Sequence, residues 1–137
     1  MTKFFISIVL LLISYPCHSK WLKIREGKIF SEYIETDSAK KQNGIIYMWN
    51  MLDYSKPINN NILSKKYYSK YDCSEMKYKI ISIIEYETNM GKGRDFKYKK
   101  NLSNGADEIN WSFPLVNSED YERLIFVCNS TKKTSFI

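Results

Sequence analysis

The stretch SEMKYKIISIIEYET, residues 74–88, decides the fold. Its even positions read Met76, Tyr78, Ile80, Ser82, Ile84 and Tyr86, and its odd positions read Glu75, Lys77, Lys79, Ile81, Ile83, Glu85 and Glu87. A repeat of two marks a strand, because successive side chains leave a pleated backbone on opposite sides. One side is largely apolar and the other turns apolar only in its middle, which predicts a long antiparallel strand over Ser74 to Thr88.

Ile45 to Tyr54 reads as a second strand, bounded by Asn43-Gly44 before it and Ser55-Lys56-Pro57 after it. Ile45, Tyr47, Trp49 and Met51 share one face, and Ile46, Met48 and Leu52 share the other with Asn50. Apolar residues on both faces predict a central position in the sheet. Weaker strand patterns cover Trp21 to Arg25, Lys28 to Glu35, Arg94 to Lys100 and Asn110 to Phe113, with turns at Glu26-Gly27 and Gly91-Lys92-Gly93.

Toward the C-terminus the period changes. Tyr121, Leu124, Ile125 and Cys128 recur at the spacing of one helix face. Ser118 is placed to cap that helix, and Glu119 and Asp120 fall in the first turn, where the helix dipole favours acids. The apolar run from Leu124 to Val127 would also suit a short strand, but cap and period favour the helix. Strands first and a helix last define an α+β domain: an antiparallel sheet of about five to six strands with a C-terminal α-helix packed on one face.

The N-terminus reads as an address. Lys3 precedes a mostly apolar run from Phe4 to Ile13, Ser14-Tyr15-Pro16 ends it, and Cys17 and Ser19 are small residues three and one before a cut after Ser19. That is the layout of a cleaved secretory signal peptide over residues 1–19. The run is too short for a membrane-spanning helix, which needs about 20 apolar residues. Lipidation at Cys17 is disfavoured by Pro16 immediately before it and Ser14 three before it.

Residues 20–137 then form a single domain with no membrane span. Its chemistry is narrow, because His18, the chain's one histidine, leaves with the signal. Removing Lys3 from 21 basic residues, against 15 acidic ones, leaves a net charge of +5. Of the three cysteines, Cys73 and Cys128 remain, and in an oxidising compartment they form the only available intramolecular bridge. A loop of 55 residues closed in this way is worth about 4 kcal/mol by chain entropy.

Without histidine the domain builds no Ser-His-Asp triad, no Cys-His pair and no His-ligated zinc site. With both cysteines bridged it has no thiolate nucleophile and no cysteine metal ligand. Gly91-Lys92-Gly93-Arg94 lacks the spacing of a phosphate-binding loop. Glu85 and Glu87 could in principle form a carboxylate pair, but two acids on a strand face are ordinarily solvated. The expectation is a protein that is not an enzyme and uses no metal or cofactor.

In sequence the domain resembles the surface-adhesin protein E family of Gram-negative bacteria. The resemblance runs in order from Trp21 to Cys128: Phe30 to Tyr33, the aromatic strand Tyr47 to Tyr54, Tyr67 to Cys73 opening onto the long strand, Met90 to Gly93, then Trp111, Pro114, Ser118 and Cys128. Leu115-Val116-Asn117 depart from the pattern, which favours a proline close before the capping serine. The resemblance implies export to the cell surface, outer membrane or periplasm, and binding of host matrix or serum proteins such as laminin, vitronectin and plasminogen. It also implies a capacity to form homodimers. The alternative it leaves open is a periplasmic, envelope-associated or small-ligand-binding module with no role in host adhesion.

A basic, non-catalytic surface protein binds through lysines that steer acidic partners and tyrosines that supply contact area. Lys65, Lys66, Tyr67, Tyr68 and Lys70, in a polar segment leading to Cys73, form one candidate binding set. Lys97 and Lys99, on the strand that carries Phe96 and Tyr98, form the other. Basic plus aromatic composition also suits nucleic acid, but no RNA- or DNA-binding motif is present. Trp21, Trp49 and Trp111 are expected in the core.

Overall fold

The computed structural model describes residues 20–93, 95–101 and 111–132, the segment 95–101 and Lys132 by their backbone alone. Residues 1–19, and with them the signal-peptide expectation, lie outside this range. Among the described residues seven strands form one antiparallel sheet: β1 (Trp21–Glu26), β2 (Phe30–Glu35), β3 (Lys40–Gln42), β4 (Ile45–Ile58), β5 (Ile62–Asp72), β6 (Lys77–Tyr86) and β7 (Asp95–Asn101). One helix, α1 (Glu119–Lys132), follows them. The order across the sheet is β1-β2-β4-β5-β6-β7, with β3 alongside the first half of β4 and β2 alongside the second half.

The α+β class and the central place of Ile45 to Tyr54 are as the sequence predicts, and three details differ. The long strand starts at Lys77 rather than Ser74. Asp72 Oδ1 accepts from the backbone N–H of Ser74 at 3.0 Å, the Ser74 hydroxyl at 2.6 Å and the Glu75 N–H at 3.2 Å, which turns the chain before it can extend. These bonds, the Ser74 hydroxyl foremost, hold the Asp72 carboxyl below the ordinary aspartate range.

Second, β6 carries a bulge. Tyr68 pairs with Ser82 and Ser69 with Ile80, so Ile81 is left over and the alternation changes sides. Tyr78 and Ile80 therefore face the helix, whereas Ser82, Ile84 and Tyr86 face away from it. The expected single apolar side is split between two faces.

Third, residues 62–72 are a strand in the middle of the sheet, not a connecting segment, and β4 runs on through Pro57 to close a hairpin at the Ile58–Ile62 pair. Asn60 and Asn61 supply the positive φ values at that turn, 56° and 63°. Asn43-Gly44, with φ of 51° and 78°, is likewise a two-residue hairpin turn joining β3 to β4. Of the strand expected over Asn110 to Phe113, Asn110 lies outside the described residues, and the remainder makes one bridge, Ser112 to Tyr78.

Helix α1 begins where expected. Ser118 Oγ accepts from the Tyr121 N–H at 3.2 Å, and Asn117, with φ of 66°, makes the turn into it. The apolar run Leu124 to Val127 is thus helical. Leu124, Val127 and Cys128 are buried against Ile34, Ile46, Met48, Tyr71 and Tyr78, while Ile125, expected on that face, is exposed.

Both ends of the helix are tied to the sheet. Cys128 bridges to Cys73, just past β5, with Cα atoms 5.8 Å apart. Near the other end Arg123 donates to Glu32 on β2 at 2.7 Å and to Asp120 at 2.7 Å, and Arg25 on β1 pairs with the same Glu32. The Tyr78 hydroxyl donates to Asp120 at 2.7 Å. Burial opposes the charge of Arg123, but Tyr71, Glu32 and Asp120 outweigh it, so the guanidinium holds its proton more tightly than an ordinary arginine.

Candidate functional site

Strand pairing sorts the residues of the sheet into two faces. The face under α1 carries Ile46, Met48, Asn50 and Leu52 of β4 opposite Tyr71, Ser69, Tyr67 and Lys65 of β5. The other face, which no helix covers among the described residues, carries Tyr47, Trp49 and Met51 opposite Lys70, Tyr68 and Lys66. On the β2 side it continues into Tyr33 and then Lys23.

The segment from Lys65 to Lys70 is therefore shared between two faces and does not form one patch. Lys65 and Tyr67 point to the helix side. Lys65 pairs with Glu85 at 2.7 Å, and Tyr67 sits beside Tyr54, with burial pushing its phenol well above the ordinary tyrosine range. Glu85 is thus a structural partner, and Glu87 is exposed beyond the end of β6, so the two acids do not form a carboxylate pair. Lys66, Tyr68 and Lys70 stand on the uncovered face. The side chains of Lys97 and Lys99 on β7 lie outside the described residues.

On the uncovered face, lysine heads lie on aromatic rings. Lys23 Nζ is 5.7 Å from the Tyr33 centroid, and Lys66 Nζ is 5.4 Å from Trp21 and 5.1 Å from Tyr86. Lys70 and Lys77 each sit 4.8 Å from Trp111. Tyr68 packs between Tyr47 and Trp49 at 6.3 and 5.1 Å. Such cation–π contacts are worth about 0.5–2 kcal/mol each, and the lysine stems cover apolar surface on the way. None of the three tryptophans joins the core under α1, where they were expected; all stand half-buried on the opposite side.

Both ends of this face are closed. At one end the turn after β6 folds over it: Ser64 Oγ donates to Thr88 O at 2.6 Å, the Met90 N–H to Asp53 Oδ1 at 2.6 Å, and Lys66 Nζ to Gly91 O at 3.4 Å. Gly91 suits that turn, because its φ of 60° lies in the left-handed region that favours glycine, and a Cβ there would also push aside the end of the Lys66 side chain. At the other end the Trp111 indole lies over Lys70 and Lys77. Between them a cleft of about 240 Å³ opens, lined by Trp21, Glu35, Trp49, Lys66, Ile84 and Tyr86.

Two other cavities offer less. A polar one of about 120 Å³ under the start of α1 is lined by Glu32, Asn50, Tyr67, Asp120 and Arg123, but its charges already neutralise one another. A larger one, about 560 Å³, lies against the outward side of α1 at Tyr121, Ile125 and Phe126. Among the described residues no group of His, Cys, Asp or Glu is placed to hold a metal ion, and no helix is long and apolar enough to cross a membrane.

A seven-stranded antiparallel sheet, one face under a disulfide-tied C-terminal helix and the other paved with aromatic rings and lysines, defines a small binding domain. The family model for surface-adhesin protein E matches residues 21–129, and the chain belongs to that family. It is accordingly an adhesin-like, exported surface protein.

Among solved structures, Haemophilus influenzae protein E superposes with a TM-score of 0.59 at 13% identity, over 82% of this chain and 96% of that one. A second crystal form of the same protein gives 0.56 at 14% identity, over 80% and 97%. At that identity the likeness is one of fold. No curated protein matches the chain in sequence.

Proposed function

We propose that the domain, freed of residues 1–19 by signal cleavage, is a non-catalytic adhesin that binds host matrix or serum proteins through the uncovered face of the sheet. The observation that carries this reading is the half-exposed row Tyr47, Trp49 and Tyr68, flanked by Lys23 and Lys70 on a face that no helix covers among the described residues. Tyrosine and tryptophan give large contact area at low entropy cost, and lysines draw in acidic partners. Lys65 and Tyr67 are excluded from this surface, because a partner seated on one face of a sheet does not reach the other.

The test is binding of oxidised residues 20–137 to immobilised laminin, vitronectin and plasminogen across a salt series. Saturable binding should persist at about 0.15 M salt, where exposed charges are screened beyond about 8 Å. Lys70→Ala and Tyr47→Ala should weaken it, and Lys65→Ala should leave it unchanged. Lys66 is the wrong residue for this purpose, since its side chain also supports the fold. Binding insensitive to Lys70 and Tyr47, or lost at physiological salt, would overturn the reading.

A further inference from the structure

The cleft between Trp21 and Trp49 has the composition of a ligand site and not of a general contact patch. Its walls are the two indoles, Ile84 and the Tyr86 ring. Lys66 projects into it from the middle of the sheet, held by Trp21 and Tyr86 and by one long bond to Gly91 O. An ammonium has three N–H donors, and among the described residues no carboxylate lies within ion-pair distance of this one. Donors left in a partly desolvated, aromatic-walled cleft favour an anionic acceptor. Glu35 brings the only carboxylate in the lining, which repels an acid close to it and accepts hydroxyl donors instead.

We propose that this cleft is a carbohydrate subsite for one acidic sugar, a uronic or sialic acid carried on a glycan, with its ring against the indoles, its carboxylate on Lys66 Nζ and a hydroxyl on Glu35. Three features of that ligand match three of the site. The C–H surface of a sugar ring needs flat aromatic walls, the acid needs the ammonium, and the hydroxyls need an acceptor at a distance from it. The size agrees as well: 240 Å³ is the room of about eight waters at about 30 Å³ each, which suits a single ring and falls below the range for larger organic ligands. This rests on the proposed use of the uncovered face and names one chemistry that face recognises.

The experiment is an NMR titration of oxidised residues 20–137, following the indole N–H signals of Trp21, Trp49 and Trp111. The probes are sodium glucuronate, N-acetylneuraminate, glucose and benzoate. Either acidic sugar should shift Trp21 and Trp49 saturably in the millimolar range and leave Trp111, outside the cleft, in place. Loss of the charge-assisted bond predicts binding of glucose weaker by about tenfold or more. Lys66→Gln should show the same loss for the acidic sugars, and Lys66→Arg should retain most of the affinity.

If Lys66→Gln does not fold, Glu35→Gln supplies the second variant. It should weaken sugar binding and leave benzoate, which has no hydroxyl, unaffected. Equal response to glucose and glucuronate, equal response to benzoate and glucuronate, or no saturable shift would overturn the site. Sugar binding with no binding to matrix or serum proteins would overturn the adhesin reading and leave this one standing. Protein binding without a sugar response would do the reverse.

Discussion

Glu32→Gln is the substitution that most directly tests how the helix is held. Glu32 is 1% exposed and receives Arg25 on one carboxylate oxygen and Arg123 on the other. The two guanidinium side chains are themselves only 18% and 14% exposed. Glutamine keeps the shape, removes the charge, and turns one acceptor into an NH₂ that confronts a guanidinium. At an effective dielectric of 20, two unit charges about 4 Å apart attract by about 4 kcal/mol before desolvation. Removing one member of a buried ion set costs about 3–5 kcal/mol net, because it strands the others.

For a domain whose whole stability is about 5–15 kcal/mol, that loss is severe. Urea unfolding of oxidised residues 20–137 should show the midpoint fall while the denaturant slope stays the same. In an Arg123→Gln background the same Glu32→Gln change should cost clearly less, since one of the two guanidiniums it would strand is already gone and only Arg25 remains. A cost under about 1 kcal/mol, or one that is equal in both backgrounds, would refute the view that this ion set fastens the start of α1.

Two further outcomes follow from the same structure. Replacing Cys73 and Cys128 together by Ala should destabilise the domain by about 4 kcal/mol by the loop-entropy account, read by urea unfolding against the oxidised wild type; no difference would show that the helix holds its place without the bridge. Alkaline sensitivity should come from the buried phenols. Burial pushes Tyr71 up to about 12 and Tyr67 higher still. A phenol whose folded pKa exceeds its unfolded value of about 10 contributes stability that is complete below that value and is lost as pH rises through the folded one. Unfolding free energy measured from about pH 9 to 11 should fall, less steeply in Tyr71→Phe; a flat profile would contradict the burial of these rings.

The alternation in residues 45–54 and 74–88, the Ser118 cap with its acidic first turn, and the pairing of two cysteines were all legible because each is a local rule. A strand buried on both faces is apolar on both, a helix start needs an oxygen acceptor, and two thiols in an oxidising compartment have one way to pair. The Asn43-Gly44 dipeptide also carried the signal of a two-residue hairpin, and with it β3, although Lys40-Lys41-Gln42 has no apolar pattern to support a strand. The break in polarity along residues 74–88 was the trace of the bulge at Ile81, visible only once the partner strand fixes the register.

Tertiary structure alone decided the status of residues 62–72 and of the tryptophans. By hydropathy, Lys65, Lys66 and Lys70 mark a solvated segment, yet they lie on a central strand, because Glu85 neutralises one and aromatic rings carry the heads of the other two. Those rings come from β1, β6 and the chain near residue 111, so no short window of sequence contains both halves of the interaction. The sequence by itself determined that this is a disulfide-tied sheet and helix with the composition of a binding protein. Which face the helix covers, and so which aromatic and basic residues remain to meet a partner, was set by strand register, a long-range property.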